Sequence, residues 1–198
     1  MSESFASDVF FTPSVKQFQT ARGSRNAYAR KEQAGFRSEI DSGLSGWLAE
    51  RDSLYFATAN AEGQPYVQHR GGPPGFLRVL DAHTIAWADY RGNKQYISLG
   101  NLAENNKAML FLMDYEGLDR VKIWGTARVV QDDPELMARL MPQGYQAVPE
   151  QVIVFTVSVW DTNCSKFIPR KVPADAALEV IRGLQARVKE LEAQLAKG

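Results

Sequence analysis

The sequence has few of the residue types that metal sites and covalent catalysis need. Its 198 residues include one cysteine, Cys164, and two histidines, His69 and His83. A single cysteine cannot form an intramolecular disulfide, which agrees with a reducing compartment, and this set leaves a structural zinc site without enough ligands. Motifs of the Gly-x-Ser-x-Gly or His-Glu-x-x-His type do not occur. We therefore predict no metal site, and the sequence names no catalytic residue.

Net charge and long apolar runs are also lacking. Lysine and arginine together number 23, and so do aspartate and glutamate. This balance argues against broad electrostatic affinity for nucleic acid or anionic membranes. No apolar run approaches the roughly 20 residues that span a bilayer, and the N-terminal residues are acidic where a signal peptide would be basic. We expect a cytoplasmic protein with neither nucleic acid nor membrane as a partner.

Strand-like periodicity begins at Ser53 and continues through most of the chain. Apolar segments are separated by short turn sequences, such as Asn60–Pro65 and Ala82-His83. A segment from Asp132 to Met141 interrupts the pattern with an aspartate cap and a following proline, which predicts a helix between two strands. Six or seven strands with short links predict a mainly β fold with added helices, in which an antiparallel sheet closes into a small barrel.

The two ends of the chain differ from this middle part. Pro13 after Thr12 resembles a helix N-cap followed by a first-turn proline. Helical spacing is also seen in Ile40, Leu44, Trp47 and Leu48. We predict that residues 1–50 are a helical extension packed on a barrel of residues 51–172. We interpret the charged stretch 22–33 between the first helices as a solvated linker.

The last segment, 173–198, has apolar residues at alternating spacings of four and three, as in a coiled coil. Ile181 and Val188 share one heptad position, which favours a parallel pair in which Arg187 faces the partner's Glu192. The alternative is that this helix lies on its own barrel. The repeating residues are Ala177, Ile181, Leu184, Val188, Leu191 and Leu195.

Two short stretches suggest a binding site. His69–Phe76 reads HRGGPPGF, in which glycines allow close backbone approach and prolines remove hydrogen-bond donors, so it is either a stiff turn or the wall of a site. After Tyr90 the chain is predicted to enter a helix near Asn93, which places Lys94 beside free backbone N–H groups. Such a place suits a phosphate, although a capped surface helix with a solvent-facing lysine has the same pattern.

Three segments taken in order carry a family resemblance. They are GQPYVQHRGGPPGFLRVLD at 63–81, IAWADYRGNKQYISLGNLAENNKAMLFLMD at 85–114 and RVKIWGTARVV at 120–130. Together they resemble the FMN-binding split-barrel proteins related to pyridoxamine 5'-phosphate oxidase, over roughly residues 36–170. The resemblance implies a split β-barrel homodimer with FMN near the subunit interface.

The resemblance also implies which residues meet the cofactor. The family's basic pair that holds the phosphate falls on Asn93 and Lys94, and Asn93 departs from the usual arginine, so Arg70 or Arg91 would substitute. The region of Arg120 and Lys122 would approach the partner's flavin. The full set implied is Gln68, His69, Arg70, Gly71, Gly72, Trp87, Ala88, Asn93, Lys94, Arg120 and Lys122.

Two departures bear on activity. The family's substrate-binding segment has no counterpart between Arg128 and Val152, so oxidation of pyridoxamine 5'-phosphate is not predicted. Related sequences read NCPQHI where this one has Ser165-Lys166-Phe167 after Cys164. The resemblance implies an FMN-dependent oxidoreductase acting on an unknown small molecule or NAD(P)H. The alternatives are a non-catalytic flavin- or haem-binding dimeric sensor or carrier, and a relative that binds the deazaflavin F420.

Overall fold

The computed structural model describes residues 5–196. These residues divide into two compact units. The larger unit runs to Met113 and resumes from Arg120 to Asn163, whereas the smaller unit contains Asp114–Asp119 and the chain from Cys164 onward.

Helices lie at both ends of the chain and between strands. A 3₁₀ turn at Ala6–Val9 precedes the first helix. Two helix caps are those the sequence suggests: Thr12 accepts a hydrogen bond from Val15 N–H, and Asp133 accepts one from Leu136 N–H. The helices are α1 (Pro13–Ala21), α2 (Arg25–Ala34), α3 (Ser42–Ala49), α4 (Ile97–Glu104), α5 (Pro134–Leu140) and α6 (Ala174–Leu195).

Within residues 5–196 there are seven strands: β1 (Ser53–Ala59), β2 (Pro65–Gly71), β3 (Arg78–Asp81), β4 (Thr84–Tyr90), β5 (Lys107–Asp114), β6 (Asp119–Val130) and β7 (Pro149–Thr162). They form one sheet in the order β2-β1-β5-β6-β7-β4-β3. Neighbours pair antiparallel, and β2 and β3 are the edge strands. The sheet confirms the predicted antiparallel split barrel with added helices.

The barrel interior is filled by every second residue of the strands, as the two-residue period of a strand requires. Its largest fully buried side chains include Phe56, Trp87 and Phe155, and Leu44 and Leu48 of α3 belong to the same core cluster. A second cluster lies on the other face of β4 and β7, where Leu140 of α5 packs with small and β-branched residues. Strand β4 is consequently buried on both faces.

Two sequence interpretations of helices were wrong. Residues 25–34 are the helix α2 and not part of a solvated linker, because Glu32 is buried and bonded to Arg25, Lys16 and the Ser7 hydroxyl. These are tertiary contacts that local composition does not reveal. The helix expected near Asn93 begins four residues later, at Ile97.

The smaller unit contains the β5–β6 connection and the C-terminal helix. The Lys171 N–H donates to the Tyr115 carbonyl over 3.2 Å, and the Lys171 ammonium lies 4.0 Å from the centre of the Tyr115 ring. Phe167 is 95% exposed and adopts a φ of 65°. Within residues 5–196, no helix combines the length and the apolar character needed to cross a membrane.

Candidate functional site

The alternation of side chains along each strand determines which of the predicted residues lie on the same face of the sheet. On β2, Gln68 pairs with Phe56 and Arg70 pairs with Leu54, so both side chains are on the interior face of the sheet. On β4, Asp89 shares the face of Trp87 and pairs with Gln151 of β7. Polar residues of three strands therefore meet at one end of the barrel, across the gap between edge strand β2 and strand β4.

Arg70 and Asp89 form an ion pair across this gap. Arg70 Nε lies 2.6 Å from Asp89 Oδ1, and Nη2 donates to Oδ2 over 3.5 Å. The Gln151 amide donates to the same Oδ2 over 2.6 Å. Asp89 is buried, and that burial raises the pKa of its carboxyl group, while Arg70 and then Gln151 oppose the rise. The pair joins β2 to β4, which are not neighbours in the sheet.

The loop between β4 and α4 holds Lys94 in an uncommon backbone conformation. Lys94 has a φ of 60° and Tyr96 a φ of 53°, which is the left-handed region that few non-glycine residues adopt. Asn93 stabilises the turn, because its Oδ1 accepts the Gln95 N–H over 3.2 Å. Asn93 thus shapes the loop at the position where the resemblance expects an arginine, and Lys94 supplies the charge.

Glu150 ties this loop to β7. Its carboxylate lies 2.9 Å from Arg91 Nε and accepts the Tyr96 hydroxyl over 3.4 Å. Tyr96 is also the residue before α4, and its side chain makes no capping hydrogen bond. The first N–H groups of α4 are therefore not capped by the residue that precedes the helix. Ser98 Oγ donates to Gln68 Oε1 over 3.1 Å, which fixes the start of α4 against β2.

These groups enclose a small pocket. Its volume is about 30 Å³, which is room for about one water molecule, so it can take the end of a ligand but not a whole flavin. Both carboxylates in its wall are paired with an arginine, whereas Lys94 has no acidic partner among the described residues. The lining residues are Gln68, Arg70, Asp89, Tyr90, Gly92, Asn93, Lys94, Tyr96, Leu99, Glu150 and Gln151.

The donors fit a phosphate group. Lys94 contributes an unpaired ammonium group, the uncapped start of α4 contributes backbone N–H groups, and both favour an anion. Of the residues that the resemblance implies, the fold brings Gln68, Arg70, Asn93 and Lys94 together here.

His69, Gly71 and Gly72 are not among the residues that line this pocket. His69 points to the opposite face of β2, where its ring is 5.9 Å from that of Tyr55. Gly71 ends β2, and a Cβ on Gly72 would lie 2.7 Å from Cβ of the buried Phe76. The glycine-rich stretch is therefore a turn that packs Phe76 into the core.

The predicted residues on β4 are buried. Trp87 is 1% exposed and packs edge-on against Phe56 at 5.4 Å, and Ala88 packs in the second cluster. Only their backbone could meet a ligand. The pairing of β3 with β4 ends at Ala86. From Trp87 to Tyr90, β4 is therefore paired with β7 but not with β3.

Arg120 and Lys122 lie on β6 and are not among the described residues that line the pocket. The Lys122 ammonium lies 5.3 Å from the centre of the Trp124 ring, and burial lowers the pKa of Lys122. Within one chain the structure therefore places the eleven implied residues in separate groups.

Seven residues of the pocket were absent from the sequence prediction, and three of these carry a carboxylate or amide side chain: Asp89, Glu150 and Gln151. The alternation of β4 could have pointed to Asp89, since an acidic residue on the same face as Ile85 and Trp87 requires a buried partner. Glu150 and Gln151 could not be found in this way, because their role depends on the register of β7 against β4.

Comparison with known proteins identifies the family. The family model described as pyridoxamine 5'-phosphate oxidase matches residues 41–164, which is more than half of the chain. The protein belongs to the pyridoxamine 5'-phosphate oxidase family, as the resemblance predicted. No curated protein matches the sequence.

Two solved structures show the same fold at low sequence identity. HupZ from Group A Streptococcus matches with a TM-score of 0.50 and 20% identity, over 67% of this chain and 99% of that one. A variant of HupZ gives a TM-score of 0.51 and 21% identity, over 63% and 99%. A protein from Lactobacillus delbrueckii, described as a pyridoxamine 5'-phosphate oxidase, gives 0.48 and 20%, over 63% and 94%.

Proposed function

We propose that the protein is an FMN-binding oxidoreductase, with the phosphate of the cofactor held at the Lys94 pocket. The observation that supports this most directly is the meeting of Gln68 and Arg70 with Asn93 and Lys94, which are remote in sequence, in one pocket of a family member. Bound FMN would supply the redox chemistry, and the protein would supply position and charge.

Different residues of the pocket would contribute different interactions to FMN binding. Lys94 and the uncapped N–H groups of α4 would neutralise the phosphate, while Asn93 keeps Lys94 in its left-handed conformation. Arg70 is neutralised by Asp89, so it would contribute hydrogen bonds and rigidity more than net charge. This division assigns the main electrostatic contact to Lys94 and not to Arg70 or Arg91.

The remainder of the cofactor would lie outside the pocket. The free edge of β4 after Ala86 offers backbone donors and acceptors, and β2 is an edge strand on the other side of the gap. A flavin ring there would be open to solvent on one side in a single chain. This agrees with the homodimeric arrangement that the family resemblance implies, in which a second subunit covers the cofactor.

The visible spectrum of the purified protein tests cofactor identity. We expect flavin absorption bands, or the uptake of added FMN by colourless protein. Protein that binds no FMN would contradict the proposal, and a haem Soret band or a copurifying deazaflavin identified by mass would support the alternatives instead.

The role of Lys94 is tested by comparing FMN with riboflavin, which lacks the phosphate. The substitution Lys94→Ala should weaken FMN binding roughly ten- to hundredfold, because a charge-assisted contact is lost, and should leave riboflavin binding unchanged. Lys107→Ala is the matched control, since Lys107 is exposed at the start of β5 and outside this pocket. If both variants bind FMN with equal affinity, Lys94 does not contact the phosphate of the cofactor.

Turnover distinguishes an enzyme from a carrier. We expect the FMN-loaded protein to oxidise NAD(P)H through many cycles in the presence of oxygen, measured as loss of absorbance at the nicotinamide band. Consumption that stops at one equivalent per bound flavin would indicate a carrier or sensor.

A further inference from the structure

Helix α6 carries an apolar stripe that is exposed along most of its length. None of its 22 residues is buried. We call Ile181, Leu184, Val188, Leu191 and Leu195 the α6 stripe; these side chains are between 42% and 82% exposed. Several large apolar side chains in a row on one helix are an unusual arrangement for a surface that only water contacts.

The spacing of the α6 stripe is that of a coiled coil. Its residues alternate by three and four positions, which assigns Ile181, Val188 and Leu195 to heptad position a and the two leucines between them to position d. The outer positions b, c and f hold only alanine, glycine and charged residues, for example Gly183, Ala186 and Ala193. Leu178 and Val180 widen the apolar face near the start of α6, but from Ile181 onward it is a narrow a/d seam. Such a seam fits a second helix, whereas a helix packed on a sheet has a wider apolar face.

The charges beside the seam indicate which helix is the partner. Arg187 occupies position g and Glu192 the following position e. In a parallel, in-register pair of identical helices, these positions face each other twice by symmetry. We propose that α6 forms a parallel two-stranded coiled coil with α6 of a second copy of this chain. Two of the three position a residues, Ile181 and Val188, are β-branched, and leucine occupies position d, which favours this state over larger assemblies.

An ion pair between Arg187 and Glu190 within one helix does not prevent this pairing. Arg187 lies 2.5 Å from Glu190 on its own helix, but both side chains are more than half exposed. An exposed pair of this kind contributes little stability, so Arg187 can exchange it for the partner's Glu192 at small cost.

Three heptads give a weak coiled coil by themselves. A helix of this length spans about 33 Å, and isolated pairs of this size are marginal. Association of the barrels would raise the effective concentration of one α6 near the other and stabilise the pair without a new contact. The proposal goes beyond the proposed function and does not depend on cofactor binding.

Disulfide trapping in the full chain tests the pairing and its direction. Cys164 is the sole cysteine, so Cys164→Ser gives a background without thiols. Single cysteines are then placed at position a, as Ile181→Cys or Leu195→Cys, and at the outer position f, as Ala186→Cys or Ala193→Cys. Position a residues of a parallel pair lie within disulfide reach, whereas those at position f lie on opposite sides. Covalent dimers are counted on a non-reducing gel after mild oxidation, without added FMN.

We expect covalent dimers from both position a variants and none from the f variants. Because Ile181 and Leu195 are about 21 Å apart along a helix, an antiparallel pair could not link both positions to themselves. Dimers that form only when the two a variants are mixed would overturn the parallel arrangement. No dimers at position a, or equal amounts at a and f, would overturn the proposal altogether.

Charge reversal gives an independent check on the seam. Arg187→Glu and Glu192→Arg should each slow disulfide formation at position a roughly threefold, because like charges then face each other. The double variant restores opposite charges and should recover the original rate. Both residues are exposed, and circular dichroism verifies that the variants keep their helix content. A double variant as slow as the singles would contradict the assigned register.

Discussion

At the scale of single residues, the ion pair between the partly buried Arg70 and the buried Asp89 connects binding to stability. We predict that Arg70→Ala lowers the free energy of unfolding by about 3 kcal/mol at pH 7, because it leaves the Asp89 carboxylate buried without its cation. His69→Ala, on the outer face of the same strand, is the control and should change stability far less. Urea denaturation of the two variants measures the difference.

The same variant should respond to pH in a defined direction. Burial already raises the pKa of Asp89 above its usual value of 3.8, and removal of Arg70 removes the main opposing charge. A carboxyl group with a raised pKa in the folded state binds its proton there more readily than in the unfolded chain, so stability falls as pH rises above 3.8. The destabilisation by Arg70→Ala should therefore shrink when the pH is lowered from 7 toward 5. A difference that stays constant over this range would contradict the assignment.

The sequence predicts the face of the sheet on which a side chain lies wherever the two-residue alternation of a strand applies. The alternation of β2 separates Gln68 and Arg70 from His69, and the structure places the first two in the pocket. Trp87 shows the limit of that reasoning. Its strand is buried on both faces, so proximity to a site in sequence does not give its side chain access to the ligand.

At the scale of elements, β6 and β7 approach each other unusually closely at Gly125. A Cβ built there would lie 1.9 Å from the Thr156 carbonyl oxygen, beside an irregularity in the ladder between Trp124 and Gly125. We predict that Gly125→Ala destabilises the protein by more than about 3 kcal/mol, because the backbone of β7 must move. Thermal unfolding measures the effect.

Gly46→Ala provides the matched control for Gly125→Ala. Gly46 lies in the exposed part of α3, and a Cβ there meets no atom within 4 Å. Alanine in a helix interior is favoured over glycine by about 0.5–1 kcal/mol, so this variant should unfold at the same temperature or slightly higher. Equal behaviour of the two variants would show that the strands can separate at Gly125 without cost.

Elements were predicted well where local sequence specifies them and poorly where tertiary contacts do. Thr12-Pro13 and Asp133-Pro134 begin α1 and α5 as expected. The residues before α4 are compatible with a helix, but Lys94 and Tyr96 adopt positive φ, held by the contacts of Asn93 and Glu150. Those contacts come from elsewhere in the chain or from a specific turn, so periodicity could not find them.

At the scale of the whole molecule, cofactor affinity should depend on protein concentration. The pocket of one chain has a volume of about 30 Å³, so the proposed FMN would be largely uncovered without a second subunit. We predict that, on tenfold serial dilution of the FMN-loaded protein, the fraction of free FMN rises more steeply than it would for a complete binding site within one chain. Ultrafiltration and sedimentation on the same samples compare free flavin with subunit association, and release that is independent of association would contradict the shared site.

The Arg70–Asp89 contact also has an evolutionary consequence. The two residues are 19 positions apart in the chain, yet a change at either alone leaves a buried or partly buried charge without its counterion. A substitution at one position is therefore expected to require a compensating substitution at the other. Lineages that lose the arginine are expected to lose the aspartate as well, and a neutral replacement of both would leave the gap between β2 and β4 closed by packing instead of by charge.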